Sequence, residues 1–130
     1  DALVKGMNKG IDPADRTELY LRLSEKYLRD AEELLAKGDY VQASEKAWGA
    51  AAQIVKALAA KEGIELRSHG ELHRYVSKLS SERGDREIPR LWLSAVSLHQ
   101  NFYENWLPGE IVEEGLESVK EFVEKLRKLL

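Results

Sequence analysis

YLRDAEELLAKGDYVQASEKAWGAA, residues 27–51, holds two helix-forming runs with a short break between them. Ahead of the break, Tyr27, Ala31 and Leu34 or Leu35 continue a spacing begun by Leu19 and Leu23. Apolar residues thus return every three or four positions, the period of one helix face. Gly38 can take the left-handed conformation that ends a helix, because it has no Cβ to clash. Asp39 follows at once, and its carboxylate can accept the free backbone N–H groups of a second helix. The pattern predicts a helix from about Pro13 to Lys37, with Asp12 as N-cap and Pro13 at the first helical position. A second helix then runs from about Tyr40 to Glu62 and is closed by Gly63. A link this short folds the two into an antiparallel hairpin.

The second helix carries many small residues: Ala43, Ala47, Gly49, Ala50, Ala51, Ala52, Ala57, Ala59 and Ala60. Small side chains let neighbouring backbones approach, so this helix is expected at the centre, with Trp48, Ile54, Val55 and Leu58 supplying bulk. Ser68-His69-Gly70-Glu71 has the spacing of a capping box and opens a shorter third helix, with Leu72, Val76 and Leu79 inward and Gly84 as its stop. Asp85 is the expected cap of a fourth helix that carries Pro89 in its first turn, where proline is tolerated, and runs to about Trp106. Pro108-Gly109 breaks the chain. A fifth helix follows, with Ile111 or Val112, Leu116, Val119, Phe122 or Val123, Leu126 and Leu130 as its stripe. Residues 1–11 show no sustained period and read as an N-terminal tail, leaving 12–130 as one domain. Lys37-Gly38-Asp39-Tyr40 with Ala43 resembles the inter-helix signature of tetratricopeptide units, but one period later stands Glu71-Leu72-His73-Arg74, which does not repeat it. The expectation is an all-α bundle of four long helices and one short one.

Composition narrows the function classes. Apolar residues make up 43% of the 130 and charged residues 33%, enough for a bundle core under a solvated surface. Net charge is −3 and the pI is about 5.7, without the basic excess that phosphate-contacting proteins usually show. Cysteine is absent, which removes disulfides and thiolate metal sites. No stretch approaches the apolar length of a membrane span and no signal peptide opens the chain, so a cytoplasmic protein without membrane association is expected. Heavy Glu, Lys and Arg use suits a thermophile.

The run from Tyr27 to Leu35, the run from Lys37 to Ala51, Ser68-His69-Gly70-Glu71-Leu72, Leu98-His99-Gln100-Asn101-Phe102-Tyr103-Glu104 and the Pro108 start of the last helix together resemble the archaeal PaREP family. The resemblance covers about residues 16–130. That family is similar to the HEPN superfamily, which implies a HEPN-like up-and-down four-helix bundle with an additional short helix, often assembled as a homodimer. Active HEPN ribonucleases carry an Arg, often followed by Asn, then four to six residues and a His just before the last helix. Other HEPN proteins are non-catalytic partners, for example of nucleotidyltransferases, or nucleotide-binding modules.

This chain departs from the ribonuclease motif. His99 stands at the right place, yet the nearest upstream arginine is Arg90, too far back for the spacing. Arg67 and His73 match by count but open the third helix instead. The expectation is therefore a non-catalytic homodimeric module for a protein partner or a nucleotide. The alternative is a divergent, metal-independent, toxin-like endoribonuclease acting on RNA, with His99 as its acid/base.

On the fourth helix, Leu91, Ala95, Leu98 and Phe102 form one apolar stripe. Trp92, Val96, His99, Tyr103 and Trp106 form a second beside it, wider than a single core face needs. Trp92, Val96 and Trp106 are the candidate dimer interface, since aromatics are enriched there. The remaining face carries Arg90, Ser94, Ser97, Asn101 and Glu104. Arg90, Ser97, Asn101, Tyr103 and Glu104 are the candidate binding residues. His69 and His73, four apart, could share a zinc ion, but no third ligand is evident nearby, so no metal and no cofactor are expected. The Glu-x-x-His pairs of di-iron bundles, phosphate loops and nucleophile elbows do not occur.

Overall fold

The computed structural model describes residues 12–130; the stretch 1–11 lies outside them. Among the described residues five helices form and no strand does: α1 Pro13–Ala36, α2 Tyr40–Lys61, α3 His69–Arg83, α4 Glu87–Glu104 and α5 Gly109–Arg127. Each boundary has a local chemical cause. Oδ1 of Asp12 accepts the N–H groups of Ala14 and Asp15 at 2.8 and 3.1 Å, and Pro13 starts α1. Gly38 (φ 79°) turns the chain so that its own N–H reaches Leu35 O at 3.0 Å and the Asp39 N–H reaches Leu34 O at 2.9 Å. Asp39 then caps α2 through the Gln42 N–H at 3.1 Å.

Two boundaries differ from the sequence expectation. Asp85 lies one residue outside the N-cap of α4, which is Arg86; its Oδ1 accepts the Glu87 N–H at 3.0 Å across a turn instead. The helix also stops at Glu104 rather than Trp106. Asn105 adopts a left-handed conformation (φ 50°), and Oδ1 of Asn101 takes the backbone N–H groups of Trp106 and Leu107 at 2.9 and 2.8 Å. A side chain from the preceding turn thus replaces the helical acceptors and ends the helix.

α2 is the central element. It packs on each of the other four helices, and from Ala50 to Ala60 every residue but Lys56 is buried. Ser24 of α1 donates to the carbonyl oxygen of Ala50 at 2.7 Å, a buried bond that draws the hairpin together. Gly49 leaves room for the Tyr27 ring: a Cβ there would stand 3.1 Å from Tyr27 Cδ2. α4 and α5 also pack on α2, with Ile88, Leu98, Val112, Val119, Phe122 and Leu126 sealed in the shared interior. α3 lies against α2 and α4, and so brings its two histidines to them.

Candidate functional site

All three histidines of the chain meet where α2, α3 and α4 come together. Their organising group is Trp48 of α2, whose indole is only 7% exposed. The His99 ring stacks on it with centroids 4.8 Å apart and planes 24° apart. His69 meets Trp48 edge-on at 5.3 Å and His99 edge-on at 5.0 Å. Trp92 of α4 lies 5.2 Å from Trp48 on the interior side and donates its indole N–H to Nδ1 of His73 at 3.0 Å. Tyr103, one turn beyond His99, meets it edge-on at 5.3 Å.

The shortest polar contact of this cluster joins Nδ1 of His99 to Oε1 of Glu45 at 2.8 Å. Both side chains are partly covered, at 19% and 30% exposure, so water screens the pair less than a surface pair. Glu45 and Trp48 stand three apart on one face of α2, which presents the carboxylate and the indole to the same imidazole. Burial, followed by repulsion from the His99 and His73 imidazoles when they carry protons, holds His69 below the ordinary histidine range. Beside the dyad, Tyr27, Gln42, Glu45, Lys46, Trp48, Gly49 and Phe102 line a cleft of 360 Å³.

The chemical capacity of this arrangement is proton transfer or hydrogen bonding by imidazole next to an aromatic wall. Among the described residues no group of three or more His, Asp or Glu side chains is placed to hold a metal ion. His73 commits its Nδ1 lone pair to the indole N–H of Trp92.

The family model of archaeal PaREP1/PaREP8 proteins matches residues 19–123, from the first half of α1 to near the end of α5. The chain belongs to the archaeal PaREP1/PaREP8 family. A crystal structure of a Sulfolobus solfataricus protein is similar to it, with 33% identical residues and a TM-score of 0.72 over 82% of this chain and 94% of that one. No curated protein matches the chain.

In this PaREP1/PaREP8 chain the residues singled out from sequence part company. His99 lies in the cluster. Asn101 does not reach a ligand surface: it is 1% exposed, donates its amide N–H to Ser44 Oγ at 3.0 Å and gives its oxygen to the end of α4. Its polar atoms are consumed within the fold, which corrects the binding role expected for it. Trp92 is likewise interior, 4% exposed between Trp48 and Phe122, so it is no surface residue for a dimer to cover. Arg90, Ser97, Tyr103 and Glu104 are exposed and Ser94 is half-buried. Ser94 and Ser97 line a groove of 290 Å³ between α4 and α5 together with Leu93, Leu107 and Ile111. Val96 and Trp106 border a second groove of 500 Å³ with Ser97, Gln100 and Leu107. Arg67 is an exposed loop charge paired with Glu65 at 3.2 Å. Among the described residues no helix is long and apolar enough to cross a membrane.

Sequence reasoning missed Glu45 and Trp48 as site residues, and it treated His69 and His99 separately. The available signal was the position of Glu45: a carboxylate on the same face as Trp48 and Ala52 of a helix otherwise given to small buried residues.

Proposed function

We propose that this chain is a HEPN-like, cytoplasmic, homodimeric binding module, with α1, α2, α4 and α5 as the up-and-down bundle and α3 as its additional short helix. The observation that carries the reading is an apolar strip on the outer side of α4 and α5. Leu93, Trp106 and Ile111 are 63%, 60% and 50% exposed, and half-buried Val96 and Leu107 lie in the grooves beside them. Exposed apolar residues gathered in one place, with an aromatic among them, mark surfaces that another molecule covers. A second copy of the chain is the occupant, and the assembled module presents its remaining surface to a protein partner, such as a nucleotidyltransferase, or to a nucleotide. Light scattering at micromolar concentration tests this. The expected mass is twice the 14.8 kDa of one chain, reverting to one chain in Trp106→Glu. A wild-type mass of one chain sinks the dimer.

One observation favours a second reading, a metal-independent endoribonuclease. His99 is held by Glu45 at 2.8 Å, with a second imidazole, His69, 5.0 Å away ring to ring. A base oriented by a carboxylate, next to another titratable ring, suits acid–base transfer at a ribose hydroxyl. Incubation with mixed tRNA and single-stranded RNA in the presence of a chelator separates the two readings. Cleavage that His99→Ala abolishes supports the nuclease; intact RNA leaves the binding module.

A further inference from the structure

We propose that Glu45 is the positioning residue of the histidine cluster: it fixes His99 as the Nδ1–H tautomer and makes Nε2 the lone pair that the cluster offers to a proton. This rests on the acid–base reading of the cluster and adds the group that prepares it. A carboxylate only accepts hydrogen bonds. With Oε1 of Glu45 2.8 Å from Nδ1 of His99, the imidazole proton lies on Nδ1, and the neutral ring carries its lone pair on Nε2. A free histidine side chain in water prefers the opposite tautomer, so the bond reverses an intrinsic preference. Trp48 supports the same outcome by holding the ring plane, 24° from its own. α2 therefore dictates both the tautomer and the orientation of a side chain that belongs to α4.

His73 is set the other way. An indole N–H only donates. Trp92 Nε1 stands 3.0 Å from Nδ1 of His73, so that nitrogen bears the lone pair and the proton of the neutral ring sits on Nε2. One imidazole is thus made an acceptor at Nε2 and another a donor at Nε2, each by a partner on a different helix. His69, edge-on to His99, has neither constraint among the hydrogen bonds described above. The charged and titratable groups acting on His69 are Glu45 and Lys56 from α2, His73 from α3 and His99 from α4. A base whose free lone pair is fixed in place is what general-base proton transfer requires.

The tautomers are directly readable. Long-range ¹H–¹⁵N correlation spectra of the full chain, recorded at about pH 8 where imidazoles are neutral, give a separate pattern for each ring. The expected result is a protonated Nδ1 for His99 and a protonated Nε2 for His73. In Glu45→Ala, His99 moves to the Nε2–H form while the His73 pattern stays. In Trp92→Phe, His73 loses its constraint while the His99 pattern stays. A wild-type His99 carrying its proton on Nε2 overturns the proposal even if no variant folds. So does Nδ1–H retained in Glu45→Ala. The readout needs no turnover: a protein that leaves RNA intact but shows Nδ1–H on His99 loses the nuclease reading and keeps Glu45 in its positioning role.

Discussion

The side-chain amide of Asn101 donates to Ser44 Oγ at 3.0 Å, and the Ser44 hydroxyl in turn donates to the carbonyl oxygen of Tyr40 at 2.7 Å. Through its oxygen, the same asparagine holds the backbone of Trp106 and Leu107. One buried residue therefore ties the start of α2 to the end of α4 and orients the turn into α5. Asn101→Ala would leave two backbone N–H groups and a serine oxygen short of partners, each worth about 1 kcal/mol or more when buried. The expected loss is about 2–4 kcal/mol in urea unfolding, whereas Ser44→Ala costs about 1 kcal/mol. A change under half a kilocalorie in Asn101→Ala would show that water replaces these bonds.

Gly115 is a contact point between α5 and α4. A Cβ there would stand 2.9 and 3.1 Å from the two methyl carbons of Leu98, which is 1% exposed, so the leucine side chain must shift. Gly115→Ala gains about 1 kcal/mol of helix propensity but pushes the helices apart, an overpacking cost of about 1–3 kcal/mol. The net expectation is destabilisation, seen as a lower Tm. Pairing it with Leu98→Ala should recover part of the loss, and strict additivity of the two changes would argue against this contact as the cause.

Trp92→Phe keeps an aromatic ring against Trp48 and Phe122 but removes the indole donor to His73. It should cost about 1–2 kcal/mol, while Trp92→Ala should cost about 3–5 kcal/mol through the cavity left behind. Chemical denaturation of the two variants side by side checks the difference. Equal losses would mean that the hydrogen bond, not the packing, dominates.

Acid should weaken the link between α5 and the turn before α4. The Lys125 ammonium, 2.8 Å from Asp85 Oδ2, and then the Glu87 N–H hold the Asp85 carboxyl below the usual carboxylate range. A carboxyl that is more acidic in the folded chain stabilises it above the unfolded value and loses that contribution as pH falls through the folded one. Stability should therefore decline below about pH 4, less steeply in Asp85→Asn. Melting temperatures across the acid range decide this.

His69 works in a different window. Burial and the neighbouring imidazoles depress its affinity for a proton in the folded chain. The unfolded chain takes up that proton first, so stability falls as pH drops below about 6.5 and stops falling once folded His69 is also charged. His69 as a whole residue is exposed, so its ring is only partly desolvated and the effect is small. His69→Gln should flatten the stability curve between neutral pH and the carboxylate region. An unchanged slope would place the effect on other groups.

The fold was legible because its determinants are local. Gly38, Gly63 and Gly84 end helices through their own left-handed backbone, and Asp12, Asp39 and Ser68 cap helices within three residues of themselves. The small residues of α2 marked it as the central element, since only small side chains permit approach from several sides. The errors at α4 have one cause. Asp85 and Asn101 look alike to a pattern of spacings whether they face water, a turn or the interior, and only packing decides which.

The candidate site was legible only in its histidine. The Glu45–His99 bond spans 54 residues and the Trp92–His73 bond spans 19, and no helical period relates residues on different helices. By itself, the order of amino acids determined where helices start and stop, which faces are apolar and that the chain belongs with helical bundles, because capping, turn geometry and periodicity act within a few residues. Only tertiary packing decided that Asn101 and Trp92 turn inward, that Trp106 and Leu93 stay outside, and that His69 and His99 gather on Trp48 while His73 bonds to Trp92, because those outcomes depend on how the helices are rotated against each other.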